Sequence, residues 1–278
     1  MLVSVLSVEG AAYLTLGLLA GFLGGLLGIG GGFVLVPGLY YVFHEFARFP
    51  GYDLQMALGT TMASILFTAA SSVRANAKRG VVRSDVVRRF ALFVAAGSAF
   101  GAYLATTLDT SWVKFGFAAF CLYSASRMLF FAQPQPSAER TVENSRLELP
   151  GLFFGTICGL IGVGGANLFV PFLLKRNLDL RHAIASGAAL QIPIAIAGSL
   201  GYVALGWGVI DAPGTFGFIT WPALSIVVIA SVATAPLGVA CSHSMPIPTL
   251  KKLFGGVTAL IGLKMSGAFT LIALWIHG

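Results

Sequence analysis

Residues Gly21 to Pro37 read GFLGGLLGIGGGFVLVP, and residues Gly155 to Pro171 read GTICGLIGVGGANLFVP. The second stretch repeats the first 134 positions later, and eight of the 17 positions are identical. The identical positions include four glycines in each copy, Gly25, Gly28, Gly30 and Gly31 against Gly159, Gly162, Gly164 and Gly165. An internal repeat is a stronger guide to architecture than any single motif, so it predicts a chain built from two related halves.

The composition indicates a protein that lives in a membrane. Of the 278 residues, 57% are hydrophobic and 10% are charged, and the mean hydropathy is +0.88. A soluble domain averages about 25% charged residues, whereas here apolar runs of nearly 20 residues recur, each long enough to cross a hydrocarbon layer of about 30 Å. A β-barrel is disfavoured because residues 91–105 are almost continuously apolar instead of alternating. We therefore expect an all-α polytopic membrane protein.

The two halves are separated by the only long hydrophilic stretch, QPQPSAERTVENSRLE at residues 133–148. We interpret residues 1–132 as a first membrane repeat, 133–148 as a linker and 149–278 as a second membrane repeat. Each half is expected to contain five elements. At an offset of 137 residues Gly101 matches Gly238, so the similarity extends beyond the glycine clusters.

The basic residues predict the orientation of the chain. If the segment from Arg74 to Arg89 lies in the cytoplasm and the elements alternate, 13 of the 17 Lys and Arg residues fall on that side, as the positive-inside rule requires. Both termini then lie outside the cell and the linker lies in the cytoplasm. Because five elements per half is an odd number, the second half enters from the opposite side, which makes the halves inverted repeats. The charge of +7 therefore signals topology, and we expect no nucleic-acid partner.

The glycine clusters interrupt apolar runs, and we expect broken or re-entrant helices there. Glycine permits sharp turns and close approach of backbones, and a helix that starts after the cluster points its free N–H groups at a buried anion. Transporters with inverted repeats use half-helix ends in this way. The alternative is that the glycines only allow tight helix packing. The glycines predicted to bind substrate are Gly28, Gly30, Gly31, Gly32, Gly162, Gly164 and Gly165.

Polar residues inside the apolar runs are further candidates for lining a cavity. Thr60 and Thr61 lie in the third element, Ser186 and Gln191 lie in its repeat partner, and Asn167 follows the second glycine cluster. Hydroxyl side chains in membrane helices often bond only to their own backbone. The amides of Gln191 and Asn167 are costlier to bury without a partner, which favours a role for them.

Lys264 and Arg127 are the cations predicted to lie within membrane spans. Lys264 is 12 residues from Lys252 and 12 from Ile276, so we expect it near the middle of the membrane, where an ionisable group is a functional candidate. Arg127, its repeat partner, lies nearer the cytoplasmic end, where snorkelling is the alternative. No acidic residue falls in the predicted spans, which argues against a carboxylate proton relay.

Catalytic and metal-binding patterns are missing from the sequence. It has no HExxH motif, no Ser-His-Asp layout and no CxxC spacing, and its glycine clusters match neither GxGxxG nor a Walker motif. We therefore expect no enzyme activity, no cofactor and no metal.

The paired glycine clusters ending in Val36-Pro37 and Val170-Pro171, the basic segment and the mid-chain linker resemble the TauE/SafE family of sulfite exporters. The resemblance covers nearly the whole chain. It implies a secondary transporter that moves sulfite, sulfonates or related small organic anions across the cytoplasmic membrane, usually outward. The alternative is a non-transporting membrane assembly or sensor subunit.

Overall fold

The computed structural model describes residues 2–27, 31–77, 82–130, 147–244 and 247–266. Within these ranges the chain forms ten α-helices and one pair of two-residue strands. The predicted site residues Gly28 and Gly30 lie outside the described residues, as does most of the linker at 133–148.

The first half contains five helices, which are α1 (Leu2–Leu27), α2 (Gly32–Glu45), α3 (Asp53–Ala77), α4 (Ser84–Thr107) and α5 (Thr110–Phe130). The first helix begins earlier than the sequence predicted, since the apolar run was expected to start at Ala11. Glu9 consequently lies inside α1 and inside its apolar stretch Val8–Leu26. The prediction that acidic residues are absent from the spans was therefore wrong, because an ion pair lets this carboxylate be buried.

The second half contains α6 (Glu148–Ile161), α7 (Ala166–Leu174), α8 (Leu180–Gly206), a hairpin of β1 (Thr215–Phe216) and β2 (Ile219–Thr220), α9 (Trp221–Ser244) and α10 (Ile247–Met265). Local chemistry sets two of the boundaries. Gly162 ends α6 in the left-handed conformation at φ 69°, which glycine adopts without steric cost. The Asp179 side chain begins α8 by accepting a hydrogen bond from the backbone N–H of His182 at 2.8 Å.

Five of the described helices are long and apolar enough to cross a membrane. They contain the stretches Val8–Leu26, Asp53–Arg74, Ser84–Thr107, His182–Gly206 and Trp221–Gly238. The shorter stretches Glu148–Ile161 and Gly255–Met265 are also apolar. The length and apolar composition of these helices confirm the prediction of an all-α polytopic membrane protein.

The helices of the two halves interleave. The first helix of each half packs along the fourth helix of the other, α1 on α9 and α6 on α4. The third helices, α3 and α8, pack on each other, as do the fifth helices, α5 and α10. Neither half therefore forms a separate bundle, and most of the packing surface of each half is supplied by the other.

Glycines make the α1–α9 and α4–α6 contacts close. A Cβ at Gly25 of α1 would overlap the backbone carbonyl of Ala235 in α9. A Cβ at Gly159 of α6 would overlap the carbonyl of Ser98 in α4 in the same way. Helices in a membrane associate through such backbone-to-backbone approach because lipid supplies no hydrophobic driving force between them.

The buried carboxylate of Glu9 is paired with Arg48, which lies in the loop between α2 and α3. The guanidinium donates two hydrogen bonds to the carboxylate, at 2.8 and 2.6 Å. The Glu9 side chain is 4% exposed and that of Arg48 is 42% exposed. Hydrogen bonding to Glu9 raises the pKa of Arg48, so the guanidinium stays charged. The pair fixes the start of α1 to the α2–α3 loop.

Candidate functional site

The two interruptions in the helices meet inside the protein. Gly32, the first residue of α2, lies so close to the other interruption that a Cβ on it would stand 2.8 Å from the carbonyl oxygen of Gly162 and 3.1 Å from the Cα of Val163. Gly162 in turn faces the side chains of Val36 and Leu58. All five residues are buried. Only glycine fits at position 32 without moving the opposing backbone.

Two helix N-termini begin at this meeting point. Gly31 precedes α2 and Gly165, at φ 77°, precedes α7, and neither helix start has a side-chain cap. The first turn of a helix leaves N–H groups without intrahelical partners. These groups carry the positive end of the helix dipole, which favours an anion. The sequence-predicted glycines Gly31, Gly32, Gly162, Gly164 and Gly165 all lie at these two interruptions.

Gln191 and Asn167 lie at the second interruption. Gln191 is 2% exposed, and its side-chain oxygen occupies the space that a Cβ on Gly164 would need. Asn167 is the second residue of α7, and its amide nitrogen is buried without a hydrogen-bond partner among the described residues. A buried amide N–H without a hydrogen-bond partner destabilises the folded protein, unless a ligand or a water molecule accepts a hydrogen bond from it.

Thr61 lies on the face of α3 that touches both interruptions. Leu58 contacts Gly162, and Ile65 lies 3.3 Å from the position of a Cβ on Gly32. Thr61 falls between them at the three- and four-residue spacing of one helix face. It is fully buried, and in the described part of the chain its hydroxyl has no hydrogen-bond partner.

Unlike the hydroxyl of Thr61, the hydroxyls of Thr60 and Ser186 accept hydrogen bonds from backbone N–H groups. The Thr60 hydroxyl accepts a hydrogen bond from the backbone N–H of Thr220, just before α9, at 3.2 Å. The Ser186 hydroxyl accepts one from the backbone N–H of Arg83, just before α4, also at 3.2 Å. Each hydroxyl thus holds the start of a fourth helix from the other half. These hydrogen bonds give Thr60 and Ser186 a structural role. The adjacent Thr61 differs, because its hydroxyl has no partner among the described residues.

Of the two predicted cations, Lys264 lies away from Gly32. Lys264 is exposed in the last turn of α10, and its ammonium lies 4.4 Å from the centre of the Tyr41 ring. Tyr41 is nine residues after Gly32 on α2, about 13 Å along the helix. Arg127 is partly buried in the last turn of α5. The ammonium of Lys264 is therefore not in contact with the glycine interruption at Gly32.

Comparison with known proteins identifies the family. The model of the sulfite exporter TauE/SafE family matches residues 13–265, which is nearly the whole chain. The chain belongs to the TauE/SafE family. The match includes both glycine interruptions and every helix from α2 to α10.

Relatives of this TauE/SafE protein are found in distant organisms. A "Probable membrane transporter protein" of Haemophilus influenzae is 29% identical over 253 residues, covering 91% of this chain and 96% of the relative. The "Probable membrane transporter protein YdhB" of Bacillus subtilis is 25% identical and covers 89% and 96%. The "Probable membrane transporter protein MJ0441" of Methanocaldococcus jannaschii is 23% identical and covers 90% and 92%. No solved structure matches significantly.

The structure divides the glycines of this TauE/SafE chain into two groups. Gly21 and Gly25 in α1, with Gly155 and Gly159 in α6, lie within helices and face the backbone of α9 or α4. These four glycines allow the helices to pack closely. The described glycines of the two clusters lie at the interruptions, and close packing occurs there as well, since a Cβ on Gly31 would overlap Ala20 of α1.

A narrow cleft beside the second interruption reveals residues that the sequence analysis of this family member missed. Thr68 and Ser72 of α3 line it together with Gln191. The enclosed space is only about as large as one water molecule. A signal for these residues was present, because Thr61, Thr68 and Ser72 recur at intervals of seven and four residues, which is the spacing of one helix face.

Proposed function

We propose that this TauE/SafE protein is a secondary transporter that exports sulfite, sulfonates or related small organic anions by alternating access between inverted repeats. The observation that carries the proposal is the contact of Gly32 with Gly162, which brings two uncapped helix starts to one buried point. The family description and the names of the relatives support transport across a membrane. The choice of anion rests on the family description and on the chemistry of the site.

The site suits a small anion because its polar groups can donate hydrogen bonds. The N–H groups at the starts of α2 and α7 are complemented by the hydroxyl of Thr61 and the amides of Asn167 and Gln191. A sulfite or sulfonate presents several oxygens that accept hydrogen bonds. Fixed N–H and O–H donors can replace its hydration shell in a water-poor site.

The remaining predicted residues have more distant roles in this proposal. Thr60 and Ser186 position the helices around the anion by holding α9 and α4. Lys264 and Arg127 contribute positive charge from the ends of α10 and α5. The predicted contributions of Gly28 and Gly30 follow from the repeat alone.

Contacts along α4 support the inverted arrangement. Near the end of α2, the Tyr40 hydroxyl accepts a hydrogen bond at 2.5 Å from Lys114 in the second turn of α5, the helix that follows the end of α4. Near the end of α7, the Phe172 ring packs against Phe90 in the second turn of α4, with centroids 5.8 Å apart. Helix α4 has 24 residues and is about 36 Å long. From their common meeting point, α2 and α7 therefore run toward opposite ends of the bundle.

The orientation follows from the basic residues. We propose that the end of α3 carrying Arg74 faces the cytoplasm, together with the linker at 133–148, and that both termini lie outside. The two membrane repeats, 1–132 and 149–278, would then rock against each other around the fixed anion site. The lipid bilayer and the anion are the only partners that this proposal requires.

Transport by the purified chain in proteoliposomes tests the proposal directly. Vesicles loaded with labelled sulfite or with a labelled short alkylsulfonate should release it faster than protein-free vesicles. Release should be slowed by excess unlabelled substrate in the same compartment. A Gly116→Ala variant should behave like wild type, because no atom lies within 4 Å of a Cβ at that position. No flux of any anion would overturn the proposal.

A non-transporting assembly or sensor subunit is the second candidate. The observation that favours it is the direct packing of Gly32 on Gly162, with a narrow cleft beside it that Gln191 lines. In a transporter this packing represents a closed conformation, whereas in a sensor it would be permanent. The flux measurement separates the two, since a sensor would bind an anion without releasing it on the other side.

A further inference from the structure

The narrow cleft is bounded by α1 and α3 of the first half and by Gln191 of α8 and Ala235 of α9 from the second half. On one side α1 contributes residues without bulky side chains, and on the other α3 contributes Thr68 and Ser72. The wall at α1 includes Gly21, Gly24 and Gly25. The rest of the lining is mostly apolar, with Ala20, Ala69 and Ala235, and the Thr68 hydroxyl donates to the carbonyl oxygens of Ser64 and Ile65 in its own helix.

Gln191 connects this cleft to the candidate anion site. Its side chain lines the cleft, and its amide oxygen fills the space where a Cβ on Gly164 would stand. One side of the same residue therefore faces the glycine interruption and another faces the cleft.

On α3 the cleft is lined by Thr68, Ala69 and Ser72. From Thr61 beside the interruption to Ser72 in the cleft the helix advances 11 residues, or about 16 Å. Two residues beyond Ser72 lies Arg74, which is exposed and opens the basic segment of the chain. Positive charge at this end of α3 raises the local concentration of anions near the membrane surface.

We infer that this cleft is the route by which the anion moves between the buried site and the face of the membrane that carries the basic segment. Thr68 and Ser72 line the route, and Gln191 stands between it and the site. The ligand is a small oxoanion such as sulfite or an alkylsulfonate. The inference rests on the proposed transport function and adds its path.

Cysteine labelling tests the route. Ser72→Cys and, separately, Thr68→Cys are introduced with Cys241→Ser, while the buried Cys121 and Cys158 are kept. The probe is a membrane-impermeant methanethiosulfonate that carries an ethylsulfonate group and so resembles the substrate. We expect labelling in inside-out vesicles and not in right-side-out vesicles. Excess alkylsulfonate should slow the labelling, and modification should lower flux at least tenfold.

Two exposed serines provide controls for the labelling. Ser84→Cys, at the start of α4 near the same face, should be labelled in inside-out vesicles without loss of flux. Ser111→Cys, in the first turn of α5, should be labelled only in right-side-out vesicles. Together they report the orientation of the vesicles and the effect of labelling outside the cleft.

The possible results distinguish a failure of the proposed route from a failure of the proposed transport function. Flux that persists after complete labelling at both Ser72→Cys and Thr68→Cys overturns the route and leaves transport standing. Absence of labelling at both positions, while Ser84→Cys is labelled from the same side, also overturns it. Absence of flux in the wild type overturns the proposed function and the route together.

Discussion

Gly32 at the start of α2 packs directly against the carbonyl oxygen of Gly162 at the end of α6, so the two interruptions of the chain form one contact. The contact joins the halves at the point where two helix dipoles start. Because nothing larger than hydrogen fits there, the spacing of the two helix starts depends on this glycine.

Gly32→Ala is expected to reduce anion flux at least tenfold. The added methyl group would stand 2.8 Å from the Gly162 carbonyl oxygen, so the helix starts must separate by several tenths of an ångström and their N–H groups would no longer converge. Flux in proteoliposomes and anion binding by calorimetry measure the effect, with Gly116→Ala as the matched control. Wild-type affinity in Gly32→Ala would show that the convergence is not needed.

The adjacent residues Thr60 and Thr61 should respond differently to replacement by valine. Thr60→Val leaves the buried N–H of Thr220 without its acceptor and should cost about 1–3 kcal/mol of stability. Thr61→Val removes a hydroxyl that has no partner among the described residues, so stability should hold while anion affinity falls several-fold. Thermal unfolding in detergent and anion binding separate the two effects. Thr60→Ser keeps the hydroxyl that accepts this hydrogen bond and should be about as stable as the wild type. Equal losses of stability in the two valine variants would show that Thr60 and Thr61 do not differ in this way.

The sequence alone predicted the membrane class and the family. Composition and the repeated glycine cluster can be read without knowing which residues are in contact. The sequence could not separate the roles of Thr60 and Thr61, since the partner of Thr60 lies 160 residues away. The burial of Glu9 was missed for the same reason, because an acidic residue enters an apolar helix only if a distant cation pairs with it. The inverted relation of the halves and the path of the anion remain proposals.

The glycines within α1 and α6 should behave as packing residues. Gly25→Ala would place a methyl group against the Ala235 carbonyl, and overpacking of this kind costs about 1–3 kcal/mol. The midpoint of thermal unfolding should fall accordingly. Gly256→Ala on α10 is the control, because no atom lies within 4 Å of that position. If both variants unfold at the wild-type temperature, the α1–α9 contact is looser than the structure indicates.

Lys264→Met is expected to change anion affinity only about twofold. The ammonium is stacked on Tyr41, about 13 Å from Gly32 along α2, and a charge at that distance contributes on the order of 0.5 kcal/mol. Lys264→Arg should match the wild type because it keeps the charge. Measurement of anion affinity at low and moderate ionic strength checks this, and a tenfold loss in Lys264→Met would indicate direct contact with the substrate.

Arg48→Met should destabilise the protein by on the order of 2 kcal/mol, because it leaves the buried carboxylate of Glu9 without its partner. Breaking a fully buried pair costs about 3–5 kcal/mol, and the value here is smaller since the Arg48 side chain is 42% exposed. Adding Glu9→Gln should recover part of the loss by removing the buried charge. Asp85→Asn is the control: its pair with Arg83 is exposed on both sides, so it should cost under about 1 kcal/mol. A double-mutant cycle of unfolding free energies measures the coupling, and additive losses would mean that Glu9 and Arg48 do not stabilise each other.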